Sequence, residues 1–174
     1  MRALVFILAL ALGACGQAPA SAPRVGSPRG GWLYIAASET ARSFTGAVTI
    51  ERNALVFAKG AVVRTSTIAR RGAAEPIAQG GPSFAAAALG PPDTIVELRA
   101  IEGLRMAQGA PSLCPNNSQP TYVGLAYSQR GAQVTLLIFS GSDAPGQSAE
   151  KTWLCATYAY AAPDGVRTRQ GVLL

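Results

Sequence analysis

From Trp32 onward the chain is built from short apolar segments rich in β-branched and aromatic residues, each closed by a turn signal. Such a pattern has no room for a long helix and directs the chain toward antiparallel sheet. The clearest hairpin joins Tyr122–Tyr127 (YVGLAY) to Gln133–Phe139 (QVTLLIF) through Ser128-Gln129-Arg130-Gly131. Trp32–Ala36 (WLYIA) reads as a first strand. Ala47–Ile50 and Leu55–Ala58 flank a turn at Arg52-Asn53. Ala61–Ile68 (AVVRTSTI) follows Lys59-Gly60, with Val63, Thr65 and Thr67 on one face. In Thr94–Ile101, Ile95, Glu97, Arg99 and Ile101 alternate with Val96, Leu98 and Ala100, and Glu102-Gly103 is expected to turn the chain into Leu104–Met106. Trp153–Tyr160 and Val166–Leu174 complete the series.

The pattern breaks at residues 71–93, where Ser83 is placed to cap a short helix over Phe84–Leu89 that Gly90 and two prolines end. At two turns it is too short to be stable alone and suits a plug or lid on a β core. The expected fold is all-β: a small antiparallel β-barrel or sandwich of about eight or nine strands with one short helix. A chain of 174 residues fits one domain, and 49% hydrophobic against 14% charged residues is ample for its core. The domain spans residues 31–174. Residues 15–30, with Pro19, Pro23 and Pro28 among Gly, Ala and Ser, read as an extended tether.

Met1-Arg2 gives a short positive start, Ala3–Leu12 an apolar run of ten, and Gly13-Ala14 a pair of small residues, the layout of a secretory signal. That run is half of the roughly 20 residues a permanent membrane-crossing helix needs. Leu12-Gly13-Ala14-Cys15 matches all four positions of a lipobox, and on these residues the N-terminus resembles that of the bacterial lipoproteins. The resemblance covers about the first fifteen residues and does not extend to the fold. It implies that residues 1–14 are a signal peptide cleaved before Cys15, whose sulfur receives a diacylglycerol and whose new amino group is often acylated too. Acyl chains at about 0.8 kcal/mol per buried methylene make two or three of them a far firmer anchor than one. Gly16 in place of Asp favours the outer membrane by the enteric sorting rule, with the domain facing the periplasm. The alternative is an ordinary secretory signal that leaves an incidental thiol.

With Cys15 assigned to lipid, Cys114 and Cys155 remain as a pair in an oxidising compartment, and a disulfide is their simplest use. The alternatives are two free buried thiols or a redox pair, which would favour Cys-x-x-Cys at a helix start. Two distant cysteines without histidine make no zinc set, so no metal site is expected. Losing Arg2 with the signal reduces the 15 Lys and Arg to 14 against 9 Asp and Glu, a balance of +5. That charge suits anionic lipid headgroups or wall polymers, or serves only solubility. The basic residues are scattered, apart from Arg70-Arg71 and Arg167/Arg169, and lack the aromatic interleaving of nucleic-acid binders.

The chain contains no histidine, which removes the commonest general base and the usual serine and cysteine nucleophile arrangements. Two carboxylate pairs remain conceivable, Asp143 with Glu150 and Glu97 with Glu102. Ser148-Ala149-Glu150-Lys151 has the S-x-x-K spacing of penicillin-interacting serine enzymes, but it falls in a loop and Trp153 follows Lys151-Thr152 where those enzymes need glycine. No cofactor fingerprint occurs, so no cofactor is expected. Trp32, Tyr34, Tyr122, Tyr127, Trp153, Tyr158 and Tyr160 either line a small cavity or pack the core, and no individual ligand-binding residue stands out. The resulting expectation is a lipid-anchored, non-enzymatic protein for binding or envelope maintenance, with an envelope protein, lipid or anionic polymer as partner. The alternatives are a periplasmic inhibitor of a wall-degrading enzyme and, more remotely, a carboxylate-dependent envelope hydrolase.

Overall fold

A computed structural model describes residues 30–163. Eight antiparallel strands close into a barrel in simple sequence order. They are β1 Trp32–Ala36, β2 Val48–Ile50, β3 Ala54–Phe57, β4 Ala61–Gly72, β5 Ile95–Met106, β6 Tyr122–Ser128, β7 Gln133–Gly141 and β8 Thr152–Ala161. The barrel alternative is therefore the correct one. The expected signal segment, Cys15, the expected tether through residue 29 and the expected strand Val166–Leu174 lie outside the described residues.

Two expectations need correction. Glu102-Gly103 is not a turn: β5 runs straight through it for 12 residues, paired with the equally long β4, and the irregularity there is a register shift opposite Arg64/Thr65. A bulge lets the pleat slip by one residue without ending the strand, and in sequence it resembles a turn. The described residues also form two short α-helices rather than one. The expected helix is α2 (Phe84–Ala88), capped by the Ser83 hydroxyl, which accepts from Ala86 N. The other is α1 (Glu39–Phe44), where Ser38 caps in the same way and Arg42 pairs with Glu39 one turn back at 3.0 Å.

Apolar side chains point inward. Tyr34, Val48, Leu55, Val63, Val123, Leu125, Leu136, Tyr158 and Tyr160 meet in one core that fills the barrel. This is the reverse of a membrane-spanning barrel, whose interior is polar, and β2 and β3 have only three and four residues where such a strand needs about 9–11. A second, smaller core lies outside the wall, where α2 lays Phe84 and Ala88 over Val96, Leu137 and Phe139. The Phe84 and Phe139 rings meet edge to face at 6.3 Å.

Because neighbouring strands alternate in direction, the starts of β1, β3, β5 and β7 share one end with the finishes of β2, β4, β6 and β8. The chain enters this end at Gly30 and leaves it beyond Ala162. The far end is plugged by the loop after β5. Leu113 and Cys114 enter the core there, Tyr158 donates its hydroxyl to Leu113 O at 2.7 Å, and Cys114 is disulfide-bonded to Cys155 in β8.

Candidate functional site at the barrel mouth

The end where the chain enters has a different construction. β4 and β5 rise above the wall made by β1, β2 and β3, since β3 pairs β4 only as far as Arg64 while β4 and β5 continue to Gly72 and Ile95. On this raised lip the inward-facing positions are Thr65, Thr67 and Arg70 on β4 and Glu97 and Arg99 on β5. The alternation in β5 is thus polar toward the barrel and apolar outward, because Val96 is covered by α2.

Arg99 closes the core from above. It is 4% exposed, and its guanidinium donates to Glu97 Oε1 at 2.8 Å, to the Glu51 carbonyl at 2.8 Å and to Thr65 Oγ1 at 3.4 Å. The bond to Glu51 reaches the β2–β3 turn, so one side chain ties two parts of the rim together. Burial alone would raise the Glu97 carboxyl. The Thr67 hydroxyl, which donates to it at 2.7 Å, and the charges of Arg99 and Arg70 outweigh that effect and hold it below its ordinary range. Glu51 Oε1 is enclosed without a hydrogen-bond partner, and burial raises the Glu51 carboxyl.

Above this layer lies a cavity of about 590 Å³, lined by Arg70, Asp93, Ile95, Glu97, Tyr127 and the β6–β7 turn. The turn is held open by backbone geometry: Gln129 (φ 48°), Arg130 (φ 56°) and Gly131 (φ 86°) are successive left-handed residues. Tyr34 fixes the turn from within the barrel by donating to Gly131 O at 2.8 Å. Arg130 is left exposed at the rim. The mouth thus presents arginine and carboxylate groups around an apolar patch of Ile95 and Tyr127, an arrangement suited to a charged group with a short aliphatic neighbour.

Other predicted residues go elsewhere. Cys114 and Cys155 do form the disulfide. Tyr34, Tyr158 and Tyr160 are core residues, Trp153 is half exposed, and Tyr127 lines the mouth. Glu97 and Glu102 are not brought together: Glu97 points into the mouth, while Glu102 sits exposed at the register shift, about 16 Å along the strand at roughly 3.3 Å per residue. Asp143 and Glu150 share a loop, but the Asp143 carboxylate accepts the backbone N–H groups of Glu150 and Lys151 at 3.0 and 2.8 Å. Those bonds hold it below its ordinary range and commit it to shaping the loop. Ser148 and Lys151 are exposed in the same loop. Arg70 and Arg71 part company, Arg70 facing the mouth and Arg71 pairing outside with Glu75 at 3.4 Å.

The mouth is only partly legible in the sequence. Glu97 and Arg99 sharing a face was a usable signal, because two charges between Ile95 and Ile101 mark a face that is neither wholly core nor wholly solvent. Comparison with protein families, curated proteins and solved structures gives no match.

Proposed function

We propose that this chain is a bacterial lipoprotein, held by acyl chains on Cys15 in the outer membrane and facing the periplasm, and that its barrel is a non-enzymatic binding module that uses the charged mouth. The anchor rests on the Leu12-Gly13-Ala14-Cys15 lipobox after an apolar run of ten. The observation that supports binding at the mouth is the filled barrel: Tyr34, Leu55, Leu136 and Tyr158 take the interior that a ligand-carrying barrel leaves open. Recognition then falls to the rim, where Arg70, Glu97 and Arg130 are fixed by strand pairing and by the Tyr34–Gly131 bond.

Mass spectrometry of the mature protein is expected to find an acylated Cys15 as its first residue, and Cys15→Ala to release the protein from membranes. A free thiol on a chain that starts elsewhere would overturn the anchor. For the mouth, envelope components retained by the detergent-solubilised wild type are expected to be lost with Arg70→Ala/Arg130→Ala. Equal retention by that variant would move the binding site off the rim.

A further inference from the structure

The charged groups that line the mouth cavity are of both signs, and most of them are uncommitted. The ion pairs among the described residues, Arg42–Glu39, Arg71–Glu75 and Arg99–Glu97, leave out Arg70, Asp93 and Arg130. Glu97 is committed on one side only. Its Oε1 accepts from both Thr67 and Arg99, while Oε2 accepts no hydrogen bond among the described residues. Strand order sets these groups along one arc of the rim. Arg70 on β4 stands opposite Glu97 on β5, Asp93 lies just before β5, Ile95 stands opposite Tyr127 on β6, and Arg130 lies in the turn that follows. Two carboxylates and an apolar patch, with Ile95 61% exposed, are thus flanked on either side by an arginine.

Such a lining discriminates against ligands of a single charge. A pure anion meets Asp93 and Glu97 beside the arginines, and a pure cation meets Arg70 and Arg130; either juxtaposition costs affinity. A ligand that carries both signs a short distance apart satisfies all four groups. The cavity of about 590 Å³ falls within the roughly 300–1,000 Å³ of small-molecule sites, room for a chain of a few residues rather than a lone ion. We propose that the mouth binds a short zwitterionic peptide with small aliphatic side chains. Its terminal carboxylate is taken by the guanidinium groups of Arg70 and Arg130, which match a carboxylate in a forked geometry, and its ammonium group by Asp93 and the free oxygen of Glu97. A methyl-sized side chain between those ends lies on Ile95 and Tyr127, a contact that a phosphoethanolamine headgroup has nothing to make. The proposal rests on the reading of the mouth as a binding site and names the class of its ligand.

The test is a nuclear magnetic resonance titration of the full mature chain carrying Cys15→Ser, which has no acyl chain, with trialanine, its N-acetyl form and its C-terminal amide. Trialanine is expected to bind with a dissociation constant of about 1 mM or tighter, and each blocked form roughly tenfold more weakly, as the loss of a charge-assisted contact implies. Arg70→Gln/Arg130→Gln should bring trialanine down to the affinity of the amide and leave the amide unchanged. Asp93→Asn should weaken trialanine and leave the acetylated form unchanged. Arg105→Gln, on the outer wall, should bind as the wild type does. No saturable shift on a folded, disulfide-bonded chain, equal affinity for a blocked form, an equal loss in Arg105→Gln, or tighter binding of inorganic phosphate or glycerophosphoethanolamine would each overturn the ligand assignment. Whether the mouth binds at all is read separately, from the envelope components that Arg70→Ala/Arg130→Ala fails to retain, so failure of the ligand class and failure of the site are distinguishable.

Discussion

Arg99 is the residue on which the mouth is organised, and its partners make its loss more than the loss of one hydrogen bond. Removing the guanidinium leaves Glu97 charged, partly enclosed and without its counter-ion, and leaves the Glu51 carbonyl without a donor. Breaking a fully buried pair costs about 3–5 kcal/mol. Because the Glu97 side chain is 25% exposed, Arg99→Leu is expected to cost about 2–3 kcal/mol by chemical denaturation. Arg99→Leu/Glu97→Leu should cost less than the two single changes added together, and strict additivity would show that the pair is not coupled. A carboxyl held below its ordinary range stabilises fully above that range and loses the contribution as pH falls through the lowered value, so the deficit of Arg99→Leu should shrink below about pH 4. Tyrosine gives the opposite sign. Burial pushes Tyr158 up to about 12 and Tyr160 higher still. Their contribution is complete below the unfolded value near 10 and is lost as pH rises through the folded one. Tyrosinate absorbance from these two residues should therefore emerge together with loss of near-ultraviolet circular dichroism. Its emergence in an intact barrel would contradict their burial.

Among the elements, the loop that plugs the far end depends on the Cys114–Cys155 bridge and the Tyr158–Leu113 bond. Cys114→Ala/Cys155→Ala should lower stability by about 4 kcal/mol, the chain-entropy value for a sequence separation of 41. A loss under about 1 kcal/mol would mean that the plug is held by packing alone. The bridge was legible because assigning one of three cysteines to lipid leaves two. The Tyr122–Phe139 hairpin and the Ser83 cap were legible because turn and cap chemistry is local. α1 had comparable signals, Ser38 followed by Glu39 with Arg42 three residues on, but at six residues it was too short to stand out from the strands beside it. The continuity of β5 through Glu102-Gly103 was hidden for another reason: a bulge depends on the partner strand, which no local window contains. The mouth was hidden for the same reason, since Arg70 meets Glu97 only through the β4–β5 register.

At the scale of the whole barrel, closure is uneven. β4 and β5 share eleven register pairs and β7 and β8 nine, but among the described residues, which end at Pro163, β1 meets β8 through only Ile35↔Ala161 and Ala36↔Tyr160. Side chains and turns reinforce this seam. The Tyr160 and Thr45 hydroxyls meet at 2.6 Å, Ala37 N and Ser38 N both donate to Ala159 O, and the Ser38 hydroxyl accepts from Ala159 N. Local opening follows the density of such bonds, so the seam is the place where this barrel opens at least cost. In hydrogen-exchange mass spectrometry, peptides covering residues 32–50 are expected to exchange faster than those covering β5 to β7. Tyr160→Phe removes the bond between the two buried hydroxyls, at about 0.5–1.5 kcal/mol, since the Thr45 hydroxyl keeps its bond to Ala41 O at 2.9 Å. It should accelerate residues 32–50 and leave residues 95–100 and 122–139 near their wild-type rates. Uniform acceleration along the chain would mean that the barrel opens only as a whole and that β1 is not its weak seam.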